Sequence, residues 1–203
     1  DYDHPLIIKV ASIPQIRIQV YFIDNEEYFK KKFIFKGADG KYFKDNDERS
    51  MFFCRGVLET VKKLGWMPDI VHCHGWMTAL MPVYLKSVYK NDPHFSNAKI
   101  IYTHYKHDEK LKFSKDLPTK LDFDELPTSE LNLNGLADVN KLHEIGIQWS
   151  DAVSHGSRDI DEGLLDLIKK TDKSVLEYHD EEQTVEAHQN FYDKVLSENG
   201  VLV

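Results

Sequence analysis

Histidine-bearing turns stand where three short apolar runs end. Ile70-Val71 leads into His72-Cys73-His74, Ile100-Ile101-Tyr102-Thr103 into His104, and Ala152-Val153-Ser154 into His155. Imidazoles ligate metals, move protons or hydrogen-bond polar ligands, so their chemistry depends on which of them meet. His72-x-His74, with His104, His107, His155 and Asp108, could supply nitrogen and oxygen ligands to a metal, as in a metallohydrolase. No HExxH, CxxC or other motif of fixed ligand geometry accompanies them, and each alone could be a singly hydrogen-bonded structural histidine. Ser154 or Ser157 beside His155 is a weaker candidate for nucleophilic catalysis. Sequence neighbours rarely pair as nucleophile and base, and no G-x-S-x-G elbow is present. Neither G-x-G-x-x-G nor a P-loop occurs, so no phosphate cradle is recognisable.

Parallel strands would bring these turns to one rim. Gly65 and Pro68 punctuate the approach to Ile70-Val71, and helical spacing resumes at Trp76, which makes a strand-to-helix corner. In open α/β sheets, ligands sit at such corners. Alternating strand and helix signals predict a three-layer, Rossmann-like α/β domain. Its mainly parallel sheet includes strands near 16–23, 69–72, 99–103 and 152–154. A further strand, Leu6 to Val10, precedes a turn at Ser12-Ile13-Pro14.

The clearest helix starts at Asp45 or Asn46, with Glu48 completing a capping box and Gly65 just past its end. Cys54, Val57, Leu58, Val61 and Leu64 form its core face. Arg49 stands in the first turn, a poor place for a cation beside the helix dipole, which implies an acidic or ligand partner or a solvated position. Residues 26–44 read as a long surface loop tied down by its aromatics. Pro82 should bend or split the helix that begins at Trp76. Residues 105–134 read as a flap over the rim or as a solvated connection. Asp138 caps a helix with Val139, Leu142, Ile145 and Trp149 on its face, and another helix carries Ile160, Leu164, Leu167 and Ile168. A last helix, Glu181 to Leu196, is expected to pack back on the domain, giving a division into 1–175 and a C-terminal helical piece, 176–203.

The chain has 203 residues, 41% of them hydrophobic, which suits one domain with an appendage. A net charge of −8 and the lack of a basic stripe argue against a nucleic-acid partner. No apolar run approaches the roughly 20 residues that a membrane helix needs. Two cysteines, Cys54 and Cys73, make no disulfide framework and fit a reducing, cytoplasmic compartment. Asp1 opens the chain without a methionine or a signal-like segment, consistent with a fragment.

The stretch from Pro68 to Lys86, PDIVHCHGWMTALMPVYLK, resembles the PDIVHxHDWxTALxPxYLK segment of bacterial glycogen synthases and plant starch synthases. Further likenesses follow in order over about residues 16–160. Val20-Tyr21-Phe22-Ile23-Asp24-Asn25 with Tyr28-Phe29 is similar to VYFIDxxxYF, and Asp45-Asn46 with Arg49 to DNxxRF. Ile101-Tyr102-Thr103-His104 resembles the strand ending in TIHN, and the run from Asn140 to Ser154 the N-x-x-K-x-G-I-x-x-S-D-x-V-x-x-V-S stretch. The resemblance implies the acceptor-side, N-terminal domain of a GT-B-type glucosyltransferase that builds α-1,4-glucan from ADP-glucose or UDP-glucose. No cofactor and no metal are implied. His104 would be the catalytic residue that contacts the transferred glucose. His74, Trp76, Tyr105 and Arg49 would line the substrate site, with α-glucan or maltooligosaccharide as partner and a nucleotide sugar where a second domain exists. Departures are also legible: Gly75 replaces the aspartate of HDW, Tyr105 the asparagine of TIHN, and His155 the proline of TVSP. The KxGGL phosphate loop has no counterpart, so the alternative is a catalytically inactive relative that binds glucan or a partner.

Overall fold

A computed structural model describes residues 4–107, 111–133 and 138–198. Four strands, β3 (Ile70–His74), β4 (Lys99–His104), β5 (Ala152–His155) and β6 (Ser174–Leu176), form one parallel sheet in sequential order. Helices α3 (Met81–Lys86), α5 (Val139–Trp149) and α6 (Glu162–Lys169) lie in the three connections. Crossovers of one hand between neighbouring parallel strands leave these helices on one face of the sheet. There Cys73, Ile100, Tyr102 and Val153 pack with Leu58 of α2 (Asn46–Lys63), Val83 and Tyr84 of α3, Leu142 and Ile145 of α5, and Leu164 and Ile168 of α6. Alternate strand residues Ile70, Ile101, Ala152 and Leu176 point the other way, onto Phe191, Tyr192 and Val195 of α7 (Glu181–Ser197). The result is the expected three-layer α/β domain with a mainly parallel sheet. β6 was not foreseen, because three residues are too few to display a pattern.

The strand expected near 16–23 does not join this sheet. It forms β2 (Ile18–Asp24), which pairs antiparallel with β1 (Ile7–Ile13) as a separate ribbon, in register from Ile7–Asp24 to Ile13–Ile18. The ribbon leans on α2, where Gly56 leaves room for Leu6 and Ile23. That packing uses one face, and Ile7, Ile13, Ile18 and Phe22 stay exposed on the other.

Local chemistry explains most helix ends. Asp138 caps α5 through a 2.9 Å bond from the Lys141 amide. Asp45 stands at the start of α2 without capping it by side chain, since its carboxylate is taken by Lys31. The expected capping box is therefore absent. Pro82 splits the segment after β3 into a 3₁₀ turn, Trp76–Thr78, and α3. Residues 26–44 contain a short helix, α1 (Glu26–Phe29), in the stretch read as loop. Most of the segment read as a flap or solvated connection is neither. Leu111, Phe113, Leu117, Leu121, Leu126 and Leu131 are buried, and they tie α4 (Leu117–Phe123) and its flanks to the core.

α5 can lie close to the sheet because position 146 is glycine. A Cβ there would stand 2.6–2.7 Å from carbons of the Tyr102 ring. Gly146→Ala should therefore cost about 1–3 kcal/mol through overpacking against roughly 1 kcal/mol gained in helix propensity, a net destabilisation of up to about 2 kcal/mol. A urea midpoint equal to or above that of the parent would show that the contact relaxes at no cost.

Candidate functional site

The C-terminal ends of β3, β4 and β5 place His74, His104 and His155 along one rim. The ladder continues through the rim, with the Gly75 amide on the Thr103 carbonyl and the Gly156 amide on the His104 carbonyl, both 2.9 Å. Tyr105, the residue after β4, stands between these glycines. A Cβ on Gly156 would come within 2.3–2.6 Å of the Tyr105 ring, and one on Gly75 would touch it at 3.7 Å. Two glycines thus form a slot for one tyrosine ring, whose hydroxyl reaches His74 Nδ1 at 3.0 Å. Gly75 itself has φ 73°, ψ 174°, a conformation that only glycine adopts without strain. The aspartate of the resembled motif would be strained there.

His104 is buried, 1% exposed. Its Nε2 is 2.7 Å from His155 Nδ1, and His155 Nε2 faces Glu177 Oε2 at 3.5 Å. Tyr102 donates to or accepts from His143 Nδ1 at 2.7 Å, and the His143 ring stacks on His107 and meets His104 edge-on. On the other face of the sheet, His72 Nε2 is 2.6 Å from Thr103 Oγ1 and its Nδ1 is 2.7 Å from Tyr192 Oη of α7. Burial, followed by the neighbouring His74 and His188, pushes His72 down to about 3. Burial and His155 push His104 down to about 4, and burial with His107 and His104 takes His143 to about 3. At neutral pH these rings are uncharged donors and acceptors, suited to hydroxyl-rich ligands rather than to anions.

The remaining expected site residues fall elsewhere. Trp76, placed by sequence in the substrate site, is 2% exposed and sits between the rings of Phe35 and Phe113 at 5.0 and 5.5 Å, so it is a core residue. Arg49 is also withdrawn from any ligand, at 4% exposure. Its guanidinium donates to the carbonyls of Tyr28 (2.9 Å) and Ile34 (2.6 Å) and to Asn46 Oδ1 (2.7 Å). Backbone carbonyls and the Asn46 side chain, not an acid, are its hydrogen-bond partners, because the 26–44 segment folds over it. His74 and Tyr105 do come together, while His104 meets His155 and His143 instead. Asp108 lies outside the described residues. Among the described residues, no group of three or more His, Cys, Asp or Glu is arranged to hold a metal. His143 and Glu177 were missed: His143 is one polar residue inside an apolar helical face, and Glu177 follows a strand too short to recognise.

The fold is similar to that of a GT-B-type glycosyltransferase catalytic domain. It aligns with the catalytic domain of starch synthase IV from Arabidopsis thaliana bound to ADP and acarbose, at a TM-score of 0.60 and 20% identity, over 92% of this chain and 35% of that one. Residues 2–170 match the starch synthase catalytic domain family, and the chain belongs to that family. A glycogen synthase of Chlorobium limicola is 46% identical over 99 residues, 48% of this chain and 20% of its own length. Those of Chlorobium phaeovibrioides and Thermotoga petrophila are 37% and 34% identical over 73% and 75% of this chain, and 30% of their own lengths. The chain thus spans well under half of the relatives that it matches.

Two outcomes follow from this geometry. Arg49→Met should destabilise the fold by about 3–5 kcal/mol, since it leaves buried carbonyls without donors, and should leave rim chemical shifts unchanged. Loss of rim shifts with a stable fold would return Arg49 to the ligand site. The depressed histidines set a pH dependence as well. Unfolded, each takes a proton near about 6.5; folded, each stays neutral down to about 3–4. Below about pH 6.5 the unfolded chain therefore binds more protons, and stability falls by at most about 1.4 kcal/mol per pH unit for each histidine. Urea midpoints should drop between about pH 7 and about pH 5, and a flat profile would contradict the neutral buried rings.

Proposed function

We propose that this chain is the acceptor-side part of a glycogen-synthase-type α-1,4-glucan synthase, holding the end of an α-glucan or maltooligosaccharide at the His74–Tyr105–His104 rim. ADP-glucose or UDP-glucose is the donor proposed for the whole protein. The observation that carries this reading is His104, which ends the central strand as the histidine of a Thr103-His104 pair, with a neutral imidazole and the polar His74–Tyr105 pair on the same rim. The Arabidopsis relative, bound to ADP and acarbose, supports a nucleotide and a saccharide as the ligand classes. Cys54 and Cys73, both free and buried, suit a reducing cytoplasmic setting.

One observation favours a second reading, a glucan-binding module without transfer. Tyr105 occupies the slot over Gly156, where the resembled motif carries a smaller asparagine, and His104 is buried against His155 and His143. A sugar can touch the imidazole only where the packing around His104 opens. Binding at the rim is common to both readings; turnover separates them.

Maltohexaose titrated into labelled protein should move the amides of 72–76 and 104–107 with a Kd on the order of millimolar, equivalent to roughly −4 kcal/mol. His104→Ala should weaken this several-fold, for the loss of about 1 kcal/mol. No movement at tens of millimolar would sink the acceptor reading. With radiolabelled ADP-glucose or UDP-glucose and a glycogen primer, the chain by itself should transfer nothing; transfer abolished by His104→Ala would rule out the binding-module reading.

A further inference from the structure

We infer that His155 and Glu177 are positioning residues that fix which ring nitrogen of His104 carries its proton. The bond between His104 Nε2 and His155 Nδ1, 2.7 Å and buried, has room for one proton between two neutral rings. Which ring owns it depends on the far side of His155. There Nε2 is buried and makes no hydrogen bond of good geometry, and it faces the Glu177 carboxylate at 3.5 Å. A bare nitrogen would turn its lone pair toward a negative oxygen, whereas an N–H turns its positive end there, so the carboxylate holds the proton on Nε2. Nδ1 of His155 is then the unprotonated nitrogen, and it accepts the Nε2–H of His104. His104 is left with a bare Nδ1, which accepts hydrogen bonds and donates none.

His143 does not compete for this proton. Its ring meets His104 edge-on at 6.2 Å between centroids, and its Nδ1 is engaged by the Tyr102 hydroxyl. Nor does a cationic ring intervene, because burial keeps both His104 and His155 below their ordinary range. The proline of the resembled motif at position 155 has no side-chain nitrogen to take part in such an arrangement. Resting on the acceptor-site reading, the consequence for specificity is direct. His104 selects a ligand group that donates, such as a sugar hydroxyl, and disfavours a carbonyl or ether oxygen at that point.

Nitrogen-15 NMR of the histidine rings reads the tautomers without any ligand. The parent protein should show Nε2–H on both His104 and His155, with both Nδ1 signals in the unprotonated range. Glu177→Lys, at a carboxylate 78% exposed, should move both rings toward Nδ1–H with the urea midpoint close to the parent's, and Glu177→Asp should restore the parent pattern. Nδ1–H on His104 in the parent, or tautomers indifferent to Glu177→Lys, would overturn the inference. A parallel titration with maltohexaose keeps the two ideas apart. Absence of binding with the expected tautomers removes the acceptor site alone, and binding with the wrong tautomers removes the relay alone.

Discussion

The central strand β4 is buried on both faces while its last three residues are polar. Burying a hydroxyl or an imidazole without a partner costs roughly 1–3 kcal/mol, so each must be satisfied inside the protein. Each finds a histidine: Tyr102 pairs with His143, Thr103 with His72 and His104 with His155. These three bonds reach the helix layer on one side, the neighbouring strand on the α7 side, and the next strand in the sheet. They account for the density of histidines around the rim better than any metal centre does.

From that requirement the surrounding architecture follows. His143 reaches Tyr102 because α5 approaches the sheet closely over Gly146. His72 is held from the other side by Tyr192, so α7 contributes a polar anchor as well as the apolar contacts of Phe191 and Val195. At the end of the strand the backbone ladder runs on into two glycines, and Tyr105 closes over the pair. Packing has in this way buried His104, with His74 left at the surface.

The sequence disclosed the α/β alternation, the shared rim and the family, because these rest on periodicity and on a long contiguous motif. Asp138 as a cap and Pro82 as a break were legible for local reasons of the same kind. What stayed hidden was tertiary. Whether the apolar run at 18–24 joins the main sheet depends on which surface α2 offers it, and the ribbon packs over Gly56 instead. Trp76 next to a histidine turn reads equally as a sugar platform or as core until Phe35 and Phe113 are seen to enclose it. Arg49 looked frustrated beside a helix dipole, and only the fold of the preceding loop supplies the carbonyls that settle it.

The tyrosine slot also has a magnetic consequence. On glycine, a hydrogen stands in the direction a Cβ would take, and at Gly156 that direction points at the Tyr105 ring from very close range. The circulating π electrons of the ring shield a nucleus above its face, so one of the two α protons of Gly156 is set apart from its twin. The state of the rim is thereby written into a single residue's proton spectrum, with no added probe.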